Sequence, residues 1–211
     1  MRKAALIAAL ALLPACASLS EEECLAGAWS AIGFDDGASG RPPDTLGEHT
    51  QACARHGVAP DLTLWRAGYE DGLATYCTRS NGFRVGATGQ AYHGVCTGPN
   101  ADMFHFALND GALLYGMRSS LDAAHSDLSA IDRDLRDLDY ERDQARKDAA
   151  SPNISDQQRA AYLDDVARLS EEIGRLERDQ RDVERAIRAI ETDLYAADAD
   201  MRRFYPEWSG Y

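Results

Sequence analysis

Apolar positions along this chain change their spacing twice. Ala4 to Leu13 form one unbroken apolar stretch ended by Pro14. From residue 20 to 76 the apolar residues fall in short runs between breakers. Ser20-Glu21-Glu22-Glu23 is a helix start, a hydroxyl cap followed by acids in the first turn. It predicts a helix to about Ala38, stopped by Gly40-Arg41-Pro42-Pro43. Asp44 is placed to cap a second helix through Ala54, closed by Gly57, and Pro60-Asp61 opens a third running to about Tyr76. Residues 77–96, CTRSNGFRVGATGQAYHGVC, are rich in Gly and carry an Asn81-Gly82 turn signal, and read as a short irregular hairpin loop.

Beyond about Ala101 a heptad spacing takes over. Leu121, Leu128 and Leu135 recur every seventh residue, with Ala124, Ile131, Leu138 and Ala145 at the other seam position. Ala149-Ala150-Ser151-Pro152-Asn153 interrupts the pattern, and Ser155 or Asp156 caps a return helix. Val166, Leu169, Ile173, Leu176, Val183, Ile187, Ile190 and Leu194 then step by three and four, with Gln180 as the polar seam residue, and Ala197, Met201 and Phe204 extend the stripe. Two heptad arms around a polar turn predict an antiparallel helical hairpin. Only two positions in seven are apolar, which suits a slender coiled coil. The tail FYPEWSGY is expected to pack against the base of the hairpin, with a partner or membrane-interface anchor as the sharper reading.

One phrase recurs. Gly33-Phe34-Asp35-Asp36-Gly37 and Gly68-Tyr69-Glu70-Asp71-Gly72 are near copies, and Ala107-Leu108-Asn109-Asp110-Gly111 is a degraded third. Each puts a small residue at i and Gly at i+4, on one helical face. Glycine inside a helix costs about 1 kcal/mol relative to alanine. Close approach of two helices offsets that cost. Gly33, Gly37, Gly68, Gly72 and Gly111 are therefore expected to be helix-packing glycines. The rival reading sends Asp36, Asp71 and Asp110, with Asp35 and Glu70, to a ligand.

Charge narrows the function classes. The 211 residues carry a formal net charge of −13, divided as +2 before Cys16, −5 over 16–100 and −10 over 101–211. With no basic run, nucleic acid is excluded as a partner, because phosphate contacts need clustered Lys or Arg. The N-terminus has the layout of an export signal: Arg2 and Lys3, then an apolar stretch too short for a bilayer span of roughly 20 residues. Leu13-Pro14-Ala15-Cys16 resembles a lipobox, so residues 1–15 read as a lipoprotein-type signal peptide and Cys16 as the lipidation site. Ala17 after it favours the outer membrane by resemblance to enterobacterial sorting. The rival cleavage, before Ser18, would release a soluble exported protein.

Setting Cys16 aside leaves Cys24, Cys53, Cys77 and Cys96, and an oxidising compartment would pair them. Of three pairings, Cys24–Cys53 and Cys77–Cys96 close the most modest loops, each contributing about 3 kcal/mol. His49, Cys53 and His56 share a helical face and could interest zinc, yet no CxxC accompanies them, so no metal or cofactor is expected. No GxSxG, GK[ST] or GxGxxG motif points to a nucleophile or a phosphate loop.

The run SLSEEECLAGAW, IGFDDGASGRPP, CARHGVAPDL, WRAGYEDGLATYC and the closing YHGVC resembles a bacterial lipoprotein family catalogued as domain of unknown function 2799. The resemblance covers about residues 17–115, with Trp65 where Tyr would be expected. It implies an exported envelope protein and brings no activity or site residue with it.

The expected fold is thus mainly α: a small disulfide-clamped helical head (16–100) with a short irregular hairpin loop, followed by a long antiparallel coiled-coil hairpin with an aromatic tail (101–211). The expected function is a non-enzymatic, lipid-anchored envelope module. It would be held in the membrane through Cys16, face the periplasm and meet an envelope protein partner through the hairpin. The alternative is a small-ligand or metal-ion binder or an enzyme, using Asp36, Asp71, His93 or Tyr92 in a polar site between head and hairpin. A third reading pairs the long seams in trans as a homo-oligomer.

Overall fold

The computed structural model describes residues 18–209; Cys16 and the 1–15 segment lie outside the described residues. Seven helices and no strand are found among the described residues: α1 (Glu21–Ala26), α2 (Trp29–Ala38), α3 (Thr45–Ala54), α4 (Leu62–Tyr76), α5 (Arg79–Ala87), α6 (Ala101–Ala149) and α7 (Asp156–Phe204). They form two compact units. The first runs to Thr78 and includes Ala91–Phe104; the second holds Arg79–Gln90 and everything from His105 onward. Residues 79–90, within the span read as the head, therefore belong to the second unit.

In the first unit the local signals act largely as written. Ser20 and Glu23 form a capping box at α1, and Asp61 accepts from the Thr63 and Leu64 amides at α4. The helix predicted from Ser20 to Ala38 is two helices. Gly27 takes a left-handed conformation (φ +62°) that ends α1, a state glycine reaches without a steric cost. Cys24–Cys53 joins α1 to the last turn of α3, and Cys77–Cys96 joins the end of α4 to the segment before α6. Leu19, Cys24, Trp29, Cys53, Trp65 and Tyr69 form the core. Tyr76 and Tyr92 both pack on Phe104, at 5.5 and 5.0 Å between ring centres.

The second unit corrects one expectation. Residues 79–87 are helix α5, not part of a hairpin loop; only the stretch from 88 to 100 is irregular. Two glycines in nine residues disguise the helix. They sit at Gly82 and Gly86, both buried, and a Cβ on Gly86 would collide with the Leu108 carbonyl of α6. Tertiary contact overrides weak propensity here.

Helices α6 and α7 have 49 residues each, roughly 73 Å at 1.5 Å per residue, and form the helical hairpin. Contacts run in reverse order along the two helices. Arg159 at the turn donates to the Ala149 and Ser151 carbonyls, Gln180 donates to Asp132 at 2.7 Å, and Tyr205 donates to Asp110 at 2.6 Å. Ser155 and Gln158 form a second capping box at the return. Gln180, the polar seam residue, thus has a partner. A polar pair in an otherwise apolar seam fixes register, since any slip leaves both groups unsatisfied.

The seam does not extend as far as the stripe suggested. Phe204 is 60% exposed, and Tyr205 is the buried aromatic. Its ring stacks on Phe83 at 4.0 Å, Arg79 lies 4.8 Å from its centre, and Trp208 meets Phe83 edge-on at 5.2 Å. Burial first, and then the hydrogen bond to Asp110, push the Tyr205 phenol from 10.0 up to about 12. The neutral phenol is the form the fold holds. Its contribution is complete below the unfolded value of 10.0 and is lost as pH rises toward about 12, where the unfolded chain ionises first. In urea titrations at pH 8 to 11.5, the stability gap between wild type and Tyr205→Phe is expected to narrow above pH 10; a gap independent of pH would refute this.

Candidate functional site

Helices α2 and α4 cross in van der Waals contact. A Cβ on Gly33 or Gly37 would strike the Trp65 or Tyr69 carbonyl, and one on Gly68 or Gly72 would strike the Ser30 or Phe34 carbonyl. Four glycines meet four backbone carbonyls reciprocally, which brings Cα–H groups against carbonyl oxygens. Gly111 of α6 faces the Phe83 carbonyl of α5, and Gly86 faces that of Leu108.

The two crossings are copies of one design. Gly33-Phe34, Gly37-Ala38 and Gly40 correspond to Gly82-Phe83, Gly86-Ala87 and Gly89. Asp71-Gly72 and Tyr76 correspond to Asp110-Gly111 and Tyr115. Gly40 and Gly89 both turn left-handed (φ +67° and +66°), and each lies against the ring of its own tyrosine, Tyr76 or Tyr115. Each disulfide also ties a cysteine before the first helix of a pair to one before the second. The copy at 82–89 is not among the three phrases singled out in the sequence. Its signal is GFxxGAxG, with x for any residue and Ser39 answered by Thr88.

Within the first pair lies a buried polar cluster. Asp36 is 4% exposed and points inward. Its Oδ2 accepts from Trp65 Nε1 at 2.9 Å and pairs with His49 Nε2 at 2.9 Å; its Oδ1 meets Arg41 Nη1 at 3.3 Å. His49, 1% exposed, uses Nδ1 on the Ser18 hydroxyl at 3.0 Å. Tyr69 stacks on Trp65 at 4.7 Å and donates to the Arg41 carbonyl at 2.6 Å. Burial, with the charges of Asp36 and Asp44 behind it, pushes the Tyr69 phenol up. In the second copy, buried Val85 stands at the place of Asp36, so the carboxylate is particular to the first.

Ser18, His49 and Asp36 are connected in the order of a nucleophile, a base and its orienting acid. The cluster also acts as a clamp, its carboxylate shared with an indole and a guanidinium. Ser18 is thereby tied to the core beside buried Leu19.

The other candidates do not converge on this cluster. Cys53 is in a disulfide and His56 lies 3.7 Å from Glu21, so His49, Cys53 and His56 do not form a zinc site. Among the described residues, no group of three or more His, Cys, Asp or Glu is arranged to hold a metal ion. Tyr92 accepts from the Cys96 amide at 2.9 Å, His93 and Asp71 are exposed, and Asp110 serves Tyr205.

The geometry defines a class: a tandem of disulfide-stapled helix pairs, each crossed on glycine. Residues 28–113 match the family described as "Protein of unknown function (DUF2799)". The match takes in both crossings and ends just past Gly111, leaving the rest of α6 and all of α7 outside it. No curated protein and no solved structure matches the chain.

Proposed function

We propose that this is an exported cell-envelope lipoprotein, anchored through Cys16 and facing the periplasm, whose helical hairpin is a non-enzymatic docking arm. The observation that carries the arm is its single seam. Seam residues Leu121, Leu128, Leu135 and Leu138 are only half-buried, while Tyr140, Leu163 and Tyr195 are 67%, 54% and 80% exposed. Side chains of that size kept in water on an ordered scaffold are available to a partner. Arg2-Lys3, the apolar stretch and Leu13-Pro14-Ala15-Cys16 support export and anchoring, as do two disulfides that would persist in an oxidising compartment. The full occupation of Asp36 and His49 favours this reading over a ligand site built on them.

Two measurements test it. The non-reduced mass of protein extracted from its native cells is expected to fit acylated Cys16 with four hydrogens missing; a chain starting at Ser18 would refute the anchor. Benzoylphenylalanine in place of Tyr195 or Tyr140 in the full chain is expected to give one discrete envelope-protein adduct. An adduct of twice the chain's own mass, or none, would refute the docking arm.

A further inference from the structure

The two helix pairs are built alike but finished differently. In the second, Phe83 is 1% exposed because Tyr205 and Trp208 cover it, and Asp110 accepts the Tyr205 hydroxyl. In the first, the equivalent Phe34 is 40% exposed and the equivalent Asp71 is in water. Phe34 and Asp71 line an open groove of about 580 Å³, together with Trp29, Leu64 and Gly68. Phe83 and Asp110, at the stations of Phe34 and Asp71, form the seat of the aromatic tail. Gly68 stands where the second pair has Ala107, and α2 closes directly onto its backbone.

We infer that the groove on the first helix pair is a docking site for a partner polypeptide that presents a tyrosine followed by a second aromatic residue. The occupied copy supplies the recognition chemistry. The tyrosine ring stacks on Phe34 as Tyr205 does on Phe83, its hydroxyl donates to Asp71 as Tyr205 does to Asp110, and the second aromatic covers the edge of Phe34. The cation that Arg79 sets over Tyr205 has no counterpart, since Ser30 occupies that station, so ring stacking and the Asp71 hydrogen bond carry selectivity. Leu64, 48% exposed, extends the apolar wall. The chain's own tail is already held in the second seat at high effective concentration, which leaves the first open to a segment supplied from outside. The inference concerns the head alone and stands apart from the anchor and the docking arm.

The test uses the oxidised full chain, labelled with nitrogen-15, and a synthetic peptide of the chain's own residues 202–209, RRFYPEWS, as the probe. Saturable amide shifts are expected within 29–35 and 64–72. Peptide with tyrosine replaced by alanine is expected to bind at least about tenfold more weakly, as is wild-type peptide to Asp71→Ala, from the loss of a hydrogen bond to a charged group. Phe34→Ala and Leu64→Glu change exposed positions and provide independent controls; both should weaken binding while keeping the native spectrum elsewhere. Absence of shifts in those segments, or equal binding to the variants, overturns the inference. Shifts there that grow with protein concentration without peptide would make the occupant a second copy, which overturns the assignment to a partner.

Discussion

Gly68→Ala is expected to destabilise the first unit by more than about 3 kcal/mol, at or beyond the upper end of typical overpacking costs. The added methyl would lie inside the contact distance of the Ser30 carbonyl, with the Phe34 amide nitrogen 3.0 Å away. Both obstacles are backbone, so no side-chain rotation makes room, and the helices must separate. Separation also uncovers Trp29 and Trp65, buried in the adjoining core. Gly47→Ala in α3 is the control, because nothing lies within 4 Å of its Cβ. There the change should stabilise by roughly 0.5–1 kcal/mol through helix propensity alone. Urea unfolding followed by tryptophan fluorescence separates the two. A Gly68→Ala midpoint within error of wild type would remove close crossing as the reason for the repeated phrase.

Asp36→Ala is expected to cost about 3–5 kcal/mol, the range found when one member of a buried ionic cluster is removed. The cost comes less from the attraction that disappears than from the groups left stranded. The Trp65 indole N–H and His49 Nε2 would both face a buried methyl group. The double variant Asp36→Ala/His49→Leu should recover part of that cost, since the stranded imidazole is then absent. Chemical denaturation of the two singles and the double gives the coupling directly. Additive effects would mean that the two side chains act independently and that the cluster is not a unit.

How much of this fold is legible in the sequence follows from how each signal works. The hairpin is legible because a seam between two long helices must repeat, and Leu121, Leu128 and Leu135 do so with a capped turn beyond them. The crossing glycines are legible for a related reason: an unfavourable residue repeated at i and i+4 needs a compensating contact. Helix α5 is not. Its Gly82 and Gly86 lower local helix preference, Asn81-Gly82 imitates a turn, and the contact that compensates Gly86 lies on α6, more than 20 residues away. The likeness of 82–89 to 33–40 is masked because an acid precedes the second glycine in each of the other copies, and this one has Val85 in that place. Gly27 is hidden because a lone glycine in a helical stretch looks the same whether it is tolerated or terminal. The inward turn of Asp36 depends on His49 and Trp65 arriving from two other helices, which no local pattern encodes.

The placement of Cys77–Cys96 has a consequence for how the protein comes apart. The chain passes between the two units three times, at 78–79, 90–91 and 104–105, and the first two passages fall inside the loop this disulfide closes. A protease that nicks the exposed stretch at His93-Gly94 cuts the backbone without parting the fragments, because one cysteine remains on each side. Helix α5 would keep its place against α6, held by its own crossing and by a covalent tether to the rest of the chain. Shedding the arm therefore takes two chemically different events, a cut and a reduction, and an environment that supplies only one of them leaves the molecule in a single piece.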